Sequence, residues 1–172
     1  MKKIIINTYY KDITNQWLRN DTVSKKILIE YKIGDSFRYN KKRYIIDGIN
    51  VLYDYKIGEK TFAKWLLSVS DKRIELFPGF NKPDGIKSAD YKINGEYFDY
   101  KHTTGKSPQL ILHNLRGKEA QASNFIINIT NNELASNQFE IERQVNETFR
   151  KYKWVKIIGI KTFYSFKIYQ RK

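Results

Sequence analysis

An α/β fold around one mixed sheet is what this chain of 172 residues predicts. Three observations carry that expectation. Short β-branched and aromatic runs, separated by Gly, Asn and Asp turn residues, fill the first third. From Gly58 onward, runs with helical apolar spacing alternate with strand-like runs, the pattern of a sheet layered with helices. Between them Asn94-Gly95 gives a strong short hairpin signal, because a type I′ turn needs φ > 0 at both central residues.

Taken in order, KKILIEYKIG (25–34), KKRYIIDG (41–48) and NVLYDYKIG (50–58) read as strands, and INTYYKDITNQWLRN before them as a short helix or a loop. Residues 1–56 are therefore read as a small β-rich N-terminal extension, and 57–172 as the main domain. EKTFAKWLLSVS places Phe62, Ala63, Leu66 and Val69 on one helical stripe. KRIELFP follows as a strand ended by Pro78, then the loop GFNKPDGIKS and the hairpin. SPQLILHNLRGKEAQAS reads as a second helix weakened by Gly117. NFIINIT is a strand, and NQFEIERQVNETFRKY a third helix with Phe139, Ile141, Val145 and Phe149 as its stripe. KWVKIIGIK and TFYSFKIYQRK close the sheet. From Gly58 the order is α-β-β-β-α-β-α-β-β.

The net charge of +14 points to a polyanionic partner, nucleic acid first and an anionic membrane surface second. Surface charge serving only solubility is the plain alternative. With no cysteine, disulfides and thiolate metal sites are excluded, and two histidines, His102 and His113, are too few for a His-based zinc site. The opening MKKIIIN has an apolar run too short for a signal peptide or membrane span, so a cytoplasmic protein without stable membrane association is expected.

The tripeptide Asp-Tyr-Lys occurs three times, at 54–56, 90–92 and 99–101. A two-residue hairpin loop sets Asp90 opposite Asp99 and, by strand alternation, puts both on one face with Lys92, Tyr97 and Lys101. Tyr91, Ile93, Glu96, Phe98 and Tyr100 form the other face, mostly apolar and suited to a core. Two carboxylates directly opposite repel. A divalent cation held by both would offset that; so would Lys92 and Lys101 on a solvated face. Glu59 opens the first main-domain helix on the same stripe as Phe62 and Ala63, leaning toward the core, although a first-turn glutamate also suits the helix dipole.

Together, Glu59, Asp90, Asp99 and Lys101 resemble the PD-(D/E)xK nuclease superfamily, whose motif is a helix acid, a hairpin Asp, then Asp or Glu-x-Lys. The longer run, from GEKTFAKWL through GIKSADYKINGEYFDYK to GKEAQASNFIINI, is similar to the nuclease domains at the C-termini of contact-dependent growth inhibition toxins. It covers roughly residues 57–165. Ala89 replaces the motif's Pro, and Asp99 is one methylene shorter than the commoner Glu.

The resemblance implies a restriction-endonuclease-like core and Mg²⁺- or Mn²⁺-dependent hydrolysis of phosphodiesters. RNA of the tRNA type is favoured over DNA as substrate, and a cognate immunity protein is implied as a partner. Asp90, Asp99 and the backbone carbonyl of Tyr100 are the expected metal ligands, with Glu59 holding water or a second ion. Lys101 is assigned to orienting the nucleophile and stabilising phosphorane charge. Gln121 matches a glutamine near the catalytic centre of many members. Lys92, Lys118, His102 and Thr103 are expected to touch nucleic acid, His102 peripherally. Asp99-Tyr100-Lys101 is then the catalytic copy, and Asp54-Tyr55-Lys56 a coincidence. Tyr97, Trp154, Tyr164 and Tyr169 are candidates to stack on unpaired bases, at least half of them being packing instead. The rival reading is a non-catalytic nucleic-acid binder.

Overall fold

Asn94 and Gly95 both adopt positive φ, 48° and 92°, as the predicted turn requires. In this computed structural model, which describes residues 8–19, 25–82 and 86–172, they join β6 (Tyr91–Ile93) to β7 (Glu96–Thr103). The opening MKKIIIN run, and the expectation attached to it, lie outside the described residues. Tyr91 pairs with Phe98, Lys92 with Tyr97 and Ile93 with Glu96, the register that a two-residue loop sets.

The rest of the sheet grows outward from this hairpin. β7 runs parallel to β8 (Asn124–Ile129), and β8 parallel to β9 (Ile157–Lys161). Parallel neighbours need crossovers. The first passes through α3 (Leu110–Leu115), and the second through α4 (Asn132–Ser136) and α5 (Gln138–Lys151). β9 turns directly into antiparallel β10 (Phe166–Arg171), and β6 pairs on its other side with β5 (Arg73–Leu76), which α2 (Ile57–Val69) precedes. The fold is thus a mixed sheet flanked by helices, as the sequence predicts.

A division at residue 56 cuts through this sheet. β1 (Tyr10–Asp12) pairs with β10 at one edge, and β2 (Ile27–Glu30) with β5 at the other, giving eight strands in the order β1-β10-β9-β8-β7-β6-β5-β2. α1 (Thr14–Arg19) lies between those edge strands in sequence and packs Trp17 and Leu18 into the main core. The bare edges of β5 and β10 account for this: exposed ladder groups gain partners from short strands far away in the chain. Only β3 (Ser36–Tyr39) and β4 (Lys42–Ile45) stand apart, as a hairpin turned at Asn40 and Lys41 with φ of 46° and 65°. The strand expected over 50–58 is reduced to one bridge, Val51 to Phe80. Asp47 accounts for its first residues. Its carboxylate accepts from the backbone N–H groups of Ile49, Asn50 and Val51 at 2.8, 2.7 and 3.1 Å, holding the chain in a turn.

Both faces of the sheet are covered. α2 buries Phe62, Ala63 and Leu66 against Ile74, Leu76, Tyr91, Ile93, Phe98 and Tyr100, while Val69 at its end is exposed. On the opposite face Ile111 and Leu115 of α3 meet Ile141, Val145 and Phe149 of α5 over Phe125, Ile127, Ile158 and Ile160. Phe139 is not part of the α5 stripe and is exposed: two residues before Ile141, it lies on the other side of a 3.6-residue helix. Gln144 and Thr148 are buried in that stripe instead. The helix expected over 107–123 ends at Leu115, because Gly117 turns out of it with φ of 68°. A third, aromatic cluster joins Phe37 and Tyr39 of the β3–β4 hairpin to Phe77, Phe80 and Tyr97. Among the described residues no helix is long and apolar enough to cross a membrane.

Candidate active site

β7 continues past the point where β6 ends, and the sheet opens there. Asp90 is the last residue to bridge the two strands: its N–H donates to the Phe98 carbonyl, and its own carbonyl accepts from Phe77 N–H, both at 3.0 Å. One step on, Tyr100 N–H donates instead to Asp90 Oδ2 at 2.7 Å. A carboxylate stands where a strand carbonyl would have been. Strand alternation directs the Tyr100 carbonyl to the same edge.

Asp99, 1% exposed, lies across this notch. Lys101 Nζ is 2.6 Å from Asp99 Oδ2, an ion pair set off the hydrogen-bonding angle, so that Oδ2 has no directed donor. Burial above all, then the charges of Asp99 and Glu59, push the Asp90 carboxyl up to about 8. Two carboxylates thus sit near one another beside one lysine, just past the last paired residues of the hairpin.

Glu59 reaches this centre from the α2 face and is buried. Its carboxylate is turned onto its own helix start: Lys56 N–H donates to Oε2 at 3.3 Å, and Lys56 Nζ is 3.5 Å from Oε1. It acts on Asp90 as a nearby charge. Tyr91 ties the two elements, its hydroxyl donating to the Glu59 carbonyl at 2.7 Å. The 54–56 copy of the tripeptide has structural work: the Tyr55 hydroxyl accepts from Tyr31 N–H at 2.8 Å and faces the Leu76 carbonyl at 3.3 Å, pinning the α2 start to β2 and β5.

The remaining expected contacts divide. His102 is exposed beside the centre, its Nε2 2.9 Å from Thr130 Oγ1. With Lys56, Gly58, Glu59, Tyr100 and Lys101 it lines a cleft of about 370 Å³. Thr103 is buried, its hydroxyl accepting from Gly105 N–H at 3.4 Å, which suits a structural part. Lys92 holds its ammonium 5.8 Å from the Tyr97 ring. Lys118 and Gln121 share a turn rather than a helical face, with Gln121 N–H donating to the Lys118 carbonyl at 2.9 Å. Gln121 lies three residues before Asn124, the first residue of β8 and the partner of Phe98. Its Oε1 is buried without a partner.

Of the four candidate stacking aromatics, Tyr169 is fully buried, Trp154 packs on Phe125 and Tyr152, and Tyr97 is held between Tyr39 and Phe77. Tyr164 alone of the four is widely exposed. Sequence reading missed Lys56, Gly58 and Asn128, the last donating from Nδ2 to the Tyr100 hydroxyl at 2.9 Å. Period-two alternation from Tyr100 through the β7–β8 register would have found Asn128. A larger cleft, about 760 Å³ beside Glu30, Tyr53 and Asp54, has an acid already matched, with Lys60 Nζ 2.7 Å from Glu30.

Among the described residues no group of three or more His, Asp or Glu side chains converges as a metal cage. The donor set is smaller: two adjacent carboxylates, Asp99 already beside the Lys101 ammonium and Asp90 raised by burial and by the neighbouring acids. That fits a hard divalent ion, which binds through one or two carboxylates with water and substrate phosphate completing its shell.

Fold and site together define an α/β protein with an acid–acid–lysine centre in the notch of a mixed sheet. Residues 87–164 match a family model described as the contact-dependent growth inhibition CdiA C-terminal domain, so over that span the chain resembles the C-terminal toxin domains of that system. The match takes in Asp90, Asp99 and Lys101 and covers less than half of the chain; Glu59 lies outside it. No curated protein and no solved structure matches the chain.

Proposed function

We propose that the protein is a toxin-type nuclease of the PD-(D/E)xK kind, a Mg²⁺- or Mn²⁺-dependent phosphodiesterase acting on RNA. The juxtaposition of Asp90, Asp99 and Lys101 at the sheet notch carries this reading: Lys101 stands 2.6 Å from a carboxylate that is almost wholly inaccessible. The resemblance to the growth-inhibition toxin domains supports the toxin class and, with it, a cognate immunity protein as partner.

Asp90 and Asp99, with the Tyr100 carbonyl, would hold the ion. Bound there, such an ion polarises the scissile phosphate and supplies hydroxide near neutral pH. The chain's own groups do the rest. Asp90, raised by burial, would give up its proton to serve as a ligand. Lys101 swings little, since Asp99 already holds it, and places its ammonium toward a non-bridging phosphate oxygen where charge builds up. Glu59 adds negative charge from the α2 side and keeps Lys56 at the cleft mouth. The excess of lysine and arginine supplies affinity through phosphates without reading sequence.

Purified protein incubated with total tRNA, ribosomal RNA and plasmid DNA, with Mg²⁺ and with EDTA, tests the proposal. Metal-dependent cutting of RNA that Asp99→Asn and Lys101→Ala both abolish is expected. Cutting of plasmid alone would move the substrate to DNA. Full activity in Lys101→Ala would remove this site.

A further inference from the structure

A second cleft, of about 340 Å³, lies beside the candidate centre on the α2 side, between α2 and the β9–β10 turn. It shares Gly58 and Tyr100 with the cleft that holds Glu59 and Lys101, so the two adjoin. Its walls are of two kinds. Trp65, Tyr100 and Phe163 give aromatic surface, and Asn128 and Thr61 give hydrogen-bonding groups. At its end stands Lys161, whose Nζ lies 4.7 Å from the Trp65 ring and donates to the Thr162 carbonyl.

Lys161 is a cation with unmet demand. Among the described residues no carboxylate lies within ion-pair distance of it, although the chain places eight other such pairs. Burial holds its pKa below the ordinary lysine value, a mark of an ammonium short of compensating charge. Phe163 and Tyr164 are the complementary anomaly: both are widely exposed, at 61% and 70%, at the tip of the β9–β10 turn. That tip is stiff, since Thr162 Oγ1 accepts from Tyr164 N–H at 3.1 Å and Ser165 N–H at 3.0 Å. Large apolar rings held out in water at a fixed place beside an unpaired cation suit a ligand with a flat face and an anionic group.

We propose that this cleft is the subsite for one unpaired nucleotide next to the scissile phosphate, with its base against Trp65 and Phe163 and its phosphate on Lys161. The proposal rests on the nuclease reading above and narrows its substrate to single-stranded segments, loops or splayed-out nucleotides. A base inside a duplex has no free face to offer these rings, whereas unpaired bases stack on aromatic side chains whatever their identity. The volume, at the low end of the roughly 300–1,000 Å³ usual for small-ligand pockets, suits one nucleotide.

The test is binding in EDTA, where no cutting occurs, of a short single-stranded RNA and of the same sequence as a blunt duplex, followed by fluorescence anisotropy. Phe163→Ala should weaken single-strand binding about 5- to 100-fold, the range for losing one stacked base, and Lys161→Gln should weaken it several-fold and make its salt dependence shallower by about one phosphate contact. Duplex binding should change less than about twofold, because phosphate contacts elsewhere carry it. The single strand should also quench tryptophan emission in the parent chain and fail to do so in Trp65→Phe. Phe163 lies outside the buried core, so its variant keeps the fold. Unchanged single-strand affinity in both variants, or equal losses for single strand and duplex, would overturn the subsite. Metal-dependent cutting that needs Lys101 but ignores Phe163 and Lys161 would remove the subsite and leave the nuclease. Single-strand binding that needs Phe163, in a chain that cuts nothing, would do the reverse.

Discussion

Replacing Asp90 by Asn should make the metal-free protein more stable while destroying its activity. The carboxyl of Asp90 sits at about 8 in the fold against an ordinary value of 3.8. Between those two values the folded chain keeps a proton that the unfolded chain releases, so stability falls as pH rises through the window and levels off above it. Each pH unit costs about 1.4 kcal/mol, or about 4 kcal/mol by pH 7 and only about 1–2 kcal/mol at pH 5. Asparagine is neutral throughout and keeps an oxygen to accept from Tyr100 N–H. Thermal unfolding in EDTA should therefore show the parent losing about 6–12 °C between about pH 5 and about pH 7, at about 2–4 °C per kcal/mol for a chain of this size. Asp90→Asn should stay nearly flat across that range. Adding Mn²⁺ should raise the parent's midpoint at pH 7 and leave the variant's alone. A parent curve as flat as the variant's would show that the two aspartates do not oppose one another, and the argument for an ion between them would fail.

Three further expectations concern fold and affinity. Gln144 is buried, its Oε1 accepting from Ile111 N–H at 3.1 Å and its Nε2 donating to the Ser107 carbonyl at 3.2 Å. Gln144→Leu should cost about 1–3 kcal/mol in denaturant unfolding by orphaning those groups; a neutral result would mean water replaces the amide. Gly95→Ala puts a side chain at φ of 92° and should cost about 1 kcal/mol or more without touching the site. Affinity for single-stranded RNA should fall with salt by a log–log slope of about −0.7 for each phosphate contacted, and a flat dependence would remove the electrostatic account of binding.

The hairpin and its register were legible because Asn-Gly admits few alternatives and alternation then assigns every residue to a face. From that register alone Asp99 and Lys101 fall beside one another, as they stand. What escaped depended on partners distant in sequence. Nothing local in ILIE says that it will cover the edge of β5, and nothing in YKD says that it will close the edge at β10. Glu59 was readable as buried but not as bound to its own helix start, since both uses place it on one stripe. Phe139 was misassigned by arithmetic, and the tail of the α3 helix by underrating what Gly117 does to a chain. Aromatic residues were the least readable, because a tyrosine in a basic stretch looks alike from sequence whether it is Tyr164 in water or Tyr169 in the core.

The cluster of Phe37, Tyr39, Phe77, Phe80 and Tyr97 has a bearing on what a shortened chain could do. The portion shared with the toxin domains begins at Lys87, yet the approach of the chain to Asp90 is braced by rings contributed from before residue 45. The shared portion alone would hold Asp90, Asp99 and Lys101 and leave part of their scaffold behind. A fragment meant to keep the geometry at Asp90 must take the small aromatic hairpin with it.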